Sequence, residues 1–185
     1  MVLRTYQKAR EQFPNLRLIL APRHLERLDE VLSVLKEGKF SFAQRTEMTK
    51  NSKQSTQDVI ILDTVGELSD VYRSADVAFV GGSLIPRGGH NMLEPPLAGV
   101  PVLFGPHTAN FREAAALVEE SELGEMVSDE SSLYTALHGW LSDTQRRQTT
   151  KLKGREALAP HRGAASRVAK IIAANLNSGT ADARE

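Results

Sequence analysis

A chain of 185 residues, 41% of them hydrophobic, can bury a real core in one domain or at most two small ones. Its 23 basic and 23 acidic side chains cancel to a formal net charge of zero, which argues against a general nucleic-acid binder. The chain has no cysteine, so disulfides and thiolate metal sites are excluded. No apolar run approaches the roughly 20 residues of a membrane span.

Val2, Leu3, Tyr6, Ala9 and Phe13 fall on one face and predict a helix over residues 1–13, stopped by Pro14-Asn15. Leu16 to Ala21 reads as a strand, with Pro22-Arg23-His24 at its carboxyl end. Leu25, Leu28, Val31, Leu32 and Leu35 predict a helix over 25–37, closed by Gly38. Residues 40–44 read as a strand and 45–57 as an exposed polar loop without periodicity. Val59 to Leu62 is a strand, and Thr64 and Glu67 have capping-box spacing for a helix running to about Ser74. Val77 to Val80 and Pro101 to Phe104 are further apolar strands, separated by a glycine-rich loop and a short helix over 92–98. Then come a helix over 110–120, an edge strand at 125–127, and helices over about 129–141, 143–158 and 162–176. Residues 1–176 thus read as a single domain and 177–185 as a frayed tail. Strands alternating with helices predict an α/β fold, a Rossmann-like parallel sheet with helices on both faces. Near-continuous apolar strands fit that burial.

Residues 80–106 carry the chemistry. After Val80 come Gly81-Gly82-Ser83, then a basic loop with Arg87, Gly88, Gly89 and His90, then a helix start near Asn91. Glycines let backbone approach a ligand, and a helix start with free N–H groups suits an anion. In open parallel sheets ligands sit beyond the carboxyl ends of the strands, where this loop would lie. Glu94 would accept both hydroxyls of a ribose, but Asn91 and Glu94 also have capping-box spacing, and Pro95 suits a first helical turn. Arg87 and His90 would meet a phosphate or a sugar carboxylate, or else form a solvated loop. Pro22-Arg23-His24 and Thr64-Val65-Gly66 each follow a strand and would share the same rim, so three turns converge on one pocket. The histidines lack metal-ligand spacing, and neither a Walker loop nor a Gly-x-Ser-x-Gly elbow is present. Gly-x-Gly-x-x-Gly is absent too, which weakens a dinucleotide reading. Arg146, Arg147, Lys151, Lys153 and Arg155 read as a solvated helix face, with contact to an anionic lipid surface as the lesser alternative.

Several of these motifs occur together in one order: Pro22-Arg23-His24 with Glu26-Arg27, Asp63-Thr64 with Gly66-Glu67-Leu68, and Val80-Gly81-Gly82-Ser83. Arg87-Gly88-Gly89-His90-Asn91, Glu94-Pro95, Pro101-Val102-Leu103, Gly105-Pro106-His107-Thr108 and Asn110-Phe111 follow. Together they resemble the bacterial 3-deoxy-D-manno-octulosonic acid (Kdo) transferases, densely from Leu16 to Phe111 and weakly beyond. The resemblance implies the carboxyl-terminal, donor-binding half of a GT-B glycosyltransferase. Such an enzyme moves Kdo from CMP-Kdo to a lipid A precursor in lipopolysaccharide synthesis, at the cytoplasmic face of the inner membrane. It implies an inverting, metal-independent reaction without a cofactor.

The resemblance places Pro22 and Arg23, the backbone of Thr64, Val65 and Gly66, and Asn91, Met92, Leu93 and Glu94 around CMP. Glu94 would be the hydroxyl acceptor, and Gly82, Ser83, Arg87, Gly88, Gly89 and His90 would lie near the donor. Val65 stands where the family often has methionine, and Met92 where it often has proline. The resemblance also implies that the catalytic base, the acceptor surface and the membrane anchor belong to an amino-terminal half outside these residues. The chain is therefore expected to be a fragment, inactive alone and lacking the first strand of its domain. An open sheet edge would invite two copies to pair. Two other readings stay open. One is the donor half of another nucleotide-sugar enzyme, such as a UDP-sugar epimerase. The other is a non-catalytic interaction domain in which the loop is only a turn and Glu94 only a cap.

Overall fold

The structure is a computed structural model that describes residues 1–48, 57–86, 88–159 and 172. The strands are β1 (Leu18–Leu20), β2 (Phe42–Gln44), β3 (Val59–Ile61), β4 (Ala78–Val80), β5 (Val102–Phe104) and β6 (Gly124–Met126). The helices are α1 (Val2–Arg10), α2 (Leu28–Glu37), α3 (Leu68–Tyr72), α4 (Glu94–Ala98), α5 (Arg112–Glu120), α6 (Glu130–Ser142) and α7 (Thr144–Ala157). Short 3-10 turns at Leu25–Arg27 and Arg45–Glu47 complete the set. The expected helix over 162–176, most of the polar loop over 45–57 and the tail over 177–185 lie outside the described residues.

All strand pairs are parallel, but they form two three-stranded sheets, in the orders β1-β3-β2 and β4-β5-β6. In the second sheet β5 is buried on both faces. Val102 and Phe104 pack with Met92, Val118 and Leu123 on one side, and Leu103 packs with Val127, Leu133 and Trp140 on the other. In the first sheet Val59 and Ile61 bury against Tyr6 of α1 and Leu35 of α2. Ile19 points to the opposite face and is 37% exposed. That face of the first sheet is the more open one, with Ala43 and Ile60 beside Ile19 partly buried.

Helix α1 spans both sheets. Its Tyr6 belongs to the core of the first, while its Val2 packs against the buried cluster of the second that includes Leu103, Leu133 and Trp140. The Tyr6 hydroxyl donates to the backbone oxygens of Leu16 (3.1 Å) and Asp58 (2.7 Å). Arg4 pairs with Glu130 of α6 at 2.7 Å, and Phe13 lies against His138 of the same helix with ring centroids 5.4 Å apart. On the other side α7 packs against α4, the short helix that carries Glu94.

Two expected caps do not form. Helix α3 starts after Glu67 without a side-chain cap, and the Thr64 hydroxyl donates to the Glu67 carboxylate instead. Helix α4 starts after Leu93, and Asn91 makes a tight turn by accepting from the Leu93 N–H at 3.1 Å. The capping box that does form, between Asp129 and Ser132, opens α6.

Among the described residues β1 pairs only with β3 and β4 only with β5, so each is an edge strand. The Leu18 N–H bonds to Asp58 and the Ala78 N–H to Pro101. Successive backbone groups alternate sides along a strand, so the N–H groups of Ile19 and Phe79 point away from the paired neighbour. Amide exchange followed by NMR should show Ile19 and Phe79 at least about tenfold faster than Ile60 and Leu103 on the central strands. Equal protection would contradict this edge assignment.

Candidate functional site

Four loops leave the carboxyl ends of β1, β3, β4 and β5, and the loop after β4 is fastened to the loop after β5. Ser83 is fully buried, and its hydroxyl donates to the Val80 oxygen at 2.8 Å while accepting from the Gly105 N–H at 2.7 Å. The Ser83 carbonyl in turn accepts from the His107 N–H at 2.9 Å. This contact needs glycine at 105, because a Cβ there would lie 2.3 Å from the Ser83 oxygen. Further along, the Asn110 N–H reaches the Gly88 oxygen at 3.4 Å. Gly88 combines a φ of +82° with no room for a side chain: its Cβ would meet Asn110 Nδ2 at 2.3 Å. Gly82 and Gly89 share the positive φ.

His90 lies in the loop after β4. The half-buried imidazole lies against Gly82, and its pKa is lowered, first by burial and then by the charges of Arg23 and His24. His24 is held by Glu26 at 2.9 Å, whereas Arg23 is exposed and makes no ion pair among the described residues. Pro22 beside it is half-buried.

Glu94 is the first residue of α4 and is exposed. Asn91 Nδ2 donates to Glu94 Oε1 at 3.3 Å and so orients the carboxylate. Burial raises the pKa of the Tyr72 phenol, and the Glu94 charge raises it further. Met92 is fully buried in the core and Leu93 packs against it, so both present main chain rather than side chain to the rim.

The loop after β3 is built from polar contacts. Asp63 accepts from the Thr46 N–H at 2.9 Å and from the Thr46 hydroxyl, and Arg45 pairs with Glu67 at 2.8 Å. Burial works to raise the Asp63 pKa, but hydrogen bonds from Thr46 and nearby backbone outweigh it and hold the carboxyl below its ordinary value. Between these anchors Thr64, Val65 and Gly66 project outward. Val65 is 90% exposed, and Gly66 has a φ of +93° with open space around it.

Arg87 lies outside the described residues. The structure brings Glu94 together with Asn91, and Thr64, Val65 and Gly66 precede α3, which packs against α4; among the described residues no contact joins Arg23 to His90. Tyr72 and Asn110 join the site without having been assigned to it from sequence. Asn110 lies inside the motif Asn110-Phe111, but nothing in the sequence signals Tyr72, which reaches Glu94 only because α3 packs on α4. An open groove of about 650 Å³ continues from Leu93 along Asn110, Phe111, Ala114 and Leu117. Of the basic run, Arg146 pairs with Glu125 at 2.8 Å, Arg147 donates to the Trp140 and Leu141 oxygens, and Lys153 pairs with Glu122. That matches a solvated, internally paired face. Among the described residues no three His, Asp or Glu side chains group as metal ligands.

No protein-family model matches the chain. A 3-deoxy-D-manno-octulosonic acid transferase of Haemophilus influenzae is 38% identical over 173 residues, covering 93% of this chain and 40% of the relative. The enzyme of the same name from Bordetella pertussis is 34% identical over 161 residues, 87% of this chain and 37% of that protein. The chain belongs to the 3-deoxy-D-manno-octulosonic acid transferase family. It spans about two fifths of the length of these members. In fold this chain matches the C-terminal CMP-Kdo binding domain of WaaA from Acinetobacter baumannii with a TM-score of 0.75. That match is 27% identical and covers 84% of this chain and 80% of the solved one. The fold class read from the sequence, a parallel α/β domain of the kind that forms the carboxyl half of such transferases, is the one found.

Replacing Ser83 by alanine leaves the buried Gly105 N–H without its partner. Ser83→Ala should therefore lower stability by about 1–3 kcal/mol, read as a shift in urea midpoint at unchanged slope. A midpoint within error of the parent would show that the two loops are not held this way.

Proposed function

We propose that this chain is the CMP-Kdo-binding half of a transferase that delivers Kdo to a lipid A precursor during lipopolysaccharide assembly. The observation that carries the reading is a carboxylate, Glu94, oriented by Asn91 next to a glycine-rich loop, in a fold shared with a CMP-Kdo binding domain. Glu94, steadied by Asn91 and flanked by Tyr72, is suited to accept both ribose hydroxyls. Arg23 is suited to pair with the donor phosphate, and the projecting backbone at Thr64, Val65 and Gly66 to meet the base through main-chain atoms. The loop of Gly82, Ser83, Arg87, Gly88, Gly89 and His90 would close on the sugar side.

No residue of this rim is assigned as the catalytic base. In this reading the base, the lipid acceptor surface and the attachment to the cytoplasmic face of the inner membrane belong to parts of the transferase outside these residues. Among the described residues no helix is long and apolar enough to cross a membrane. Residues 1–176 are read as one domain.

Calorimetric titration of this chain should show binding of CMP in preference to UMP. Glu94→Ala should weaken CMP by about tenfold or more, the scale of lost hydrogen bonds to a charged group. Preference for UMP would favour a UDP-sugar enzyme, and a folded chain that binds neither nucleotide would overturn the reading.

A further inference from the structure

The groove along α5 is open, and its apolar walls belong to the core in which α7 ends. Leu93, Phe111, Ala114 and Leu117 line it, with Glu113, around a space of about 650 Å³. These four apolar side chains are partly buried and pack against one core cluster. The same cluster holds the fully buried Leu158, and Ala157 at the end of α7 packs against it. Helix α7 therefore delivers the chain to the core beneath the groove. Pro160 follows, and proline cannot continue the helical hydrogen bonds, so the chain turns there. The helix predicted from sequence over 162–176 starts after a connection of about three residues. Connections that short set consecutive helices side by side.

The sequence of that stretch matches the groove in pattern and in charge. Ala164, Val168 and Ile171 recur at i, i+4 and i+7, which makes one apolar stripe. Ile172, the one described residue of the stretch, is helical and 53% exposed. On a helix it is turned about 100° from Ile171, at the margin of the stripe. Residues 162–176 carry Arg162, Arg167 and Lys170 and no acid. On α5, Glu113, Leu117 and Glu120 follow at i, i+4 and i+7, and neither carboxylate is paired among the described residues. We propose that residues 162–176 fold back as a helix into this groove. Ala164, Val168 and Ile171 lie against Phe111, Ala114 and Leu117, and the basic side chains lie toward Glu113 and Glu120. Apolar burial supplies the attraction, and the opposite charges set the register. The occupant is this chain's own segment rather than a second copy, because so short a tether gives it a local concentration on the order of millimolar. Docking there also covers Leu93, the residue before Glu94, so the segment borders the proposed nucleotide site without belonging to it.

The chain has no cysteine, so one nitroxide spin label can be attached selectively through Ser166→Cys, a position off the stripe. Proton–nitrogen spectra of the full 185-residue chain would be compared with the label oxidised and reduced. The amides of Glu113, Ala114 and Leu117 should lose most of their signal beside the oxidised label and regain it on reduction. Ile171→Asp in the labelled chain should restore those signals, and an otherwise unchanged spectrum would show that the fold survives the substitution. Signals on α5 that persist beside the oxidised label would overturn the proposal. So would broadening centred elsewhere in the chain, or a loss that remains in Ile171→Asp. A mixture of labelled chain without isotope and unlabelled, nitrogen-15-enriched chain tests for a second copy. No broadening on α5 is expected in that mixture, and its appearance there would overturn the intramolecular assignment.

Discussion

One buried hydroxyl sets the geometry of this rim. Ser83 donates to Val80 at the end of β4 and accepts from Gly105 at the end of β5, so two neighbouring strands release their loops at a fixed distance and angle. A polar group buried this deeply is tolerated because both of its hydrogen-bonding capacities are used. The consequence runs outward along the chain. With Ser83 anchored, His107 docks on its carbonyl, the segment with Gly88 and Gly89 folds against the loop after β5, and Asn91 and Glu94 emerge at the start of α4. The helix itself is held from beneath by Met92, Pro95 and Pro96, which are buried, and by α7. Exposed Glu94 thus stands on a packed base, which is how a surface carboxylate keeps a defined position without a salt bridge.

The division of the sheet has a different physical meaning. Each half has its own core, and the link between them runs mainly through α1 and the loops at the strand ends. Helix α1 reaches α6 through an exposed ion pair and a ring contact, while its Val2 packs on the second core. A binding site assembled from both halves would be tightened by whatever ties them together, a bound anion included.

Most of the fold was legible because its strands are short apolar runs alternating with amphipathic helices, a pattern set by burial alone. Ends of elements were less legible. Thr64 to Glu67 and Asn91 to Glu94 both have capping-box spacing, yet in both the side chains bond to each other or to a turn, because the loop geometry was settled first by Asp63 with Thr46 and by buried Met92. Spacing encodes what a side chain can reach, not which partner arrives there. The rim residues were named from the family motifs, and of them Asn91 and Glu94 are bonded to each other. Tyr72 did not show because its part in the site arises from packing between α3 and α4, which no local pattern carries.

The account stands on one claim, that the four loops form a single nucleotide site on this chain. The direct test is a proton–nitrogen correlation spectrum titrated with CMP. The account predicts that shifts concentrate at the amides of Arg23, Val65, Gly66, Leu93 and Glu94, drawn from three separate loops and moving with one dissociation constant. Shifts confined to one loop, or centred on α7 and its basic face, would contradict it.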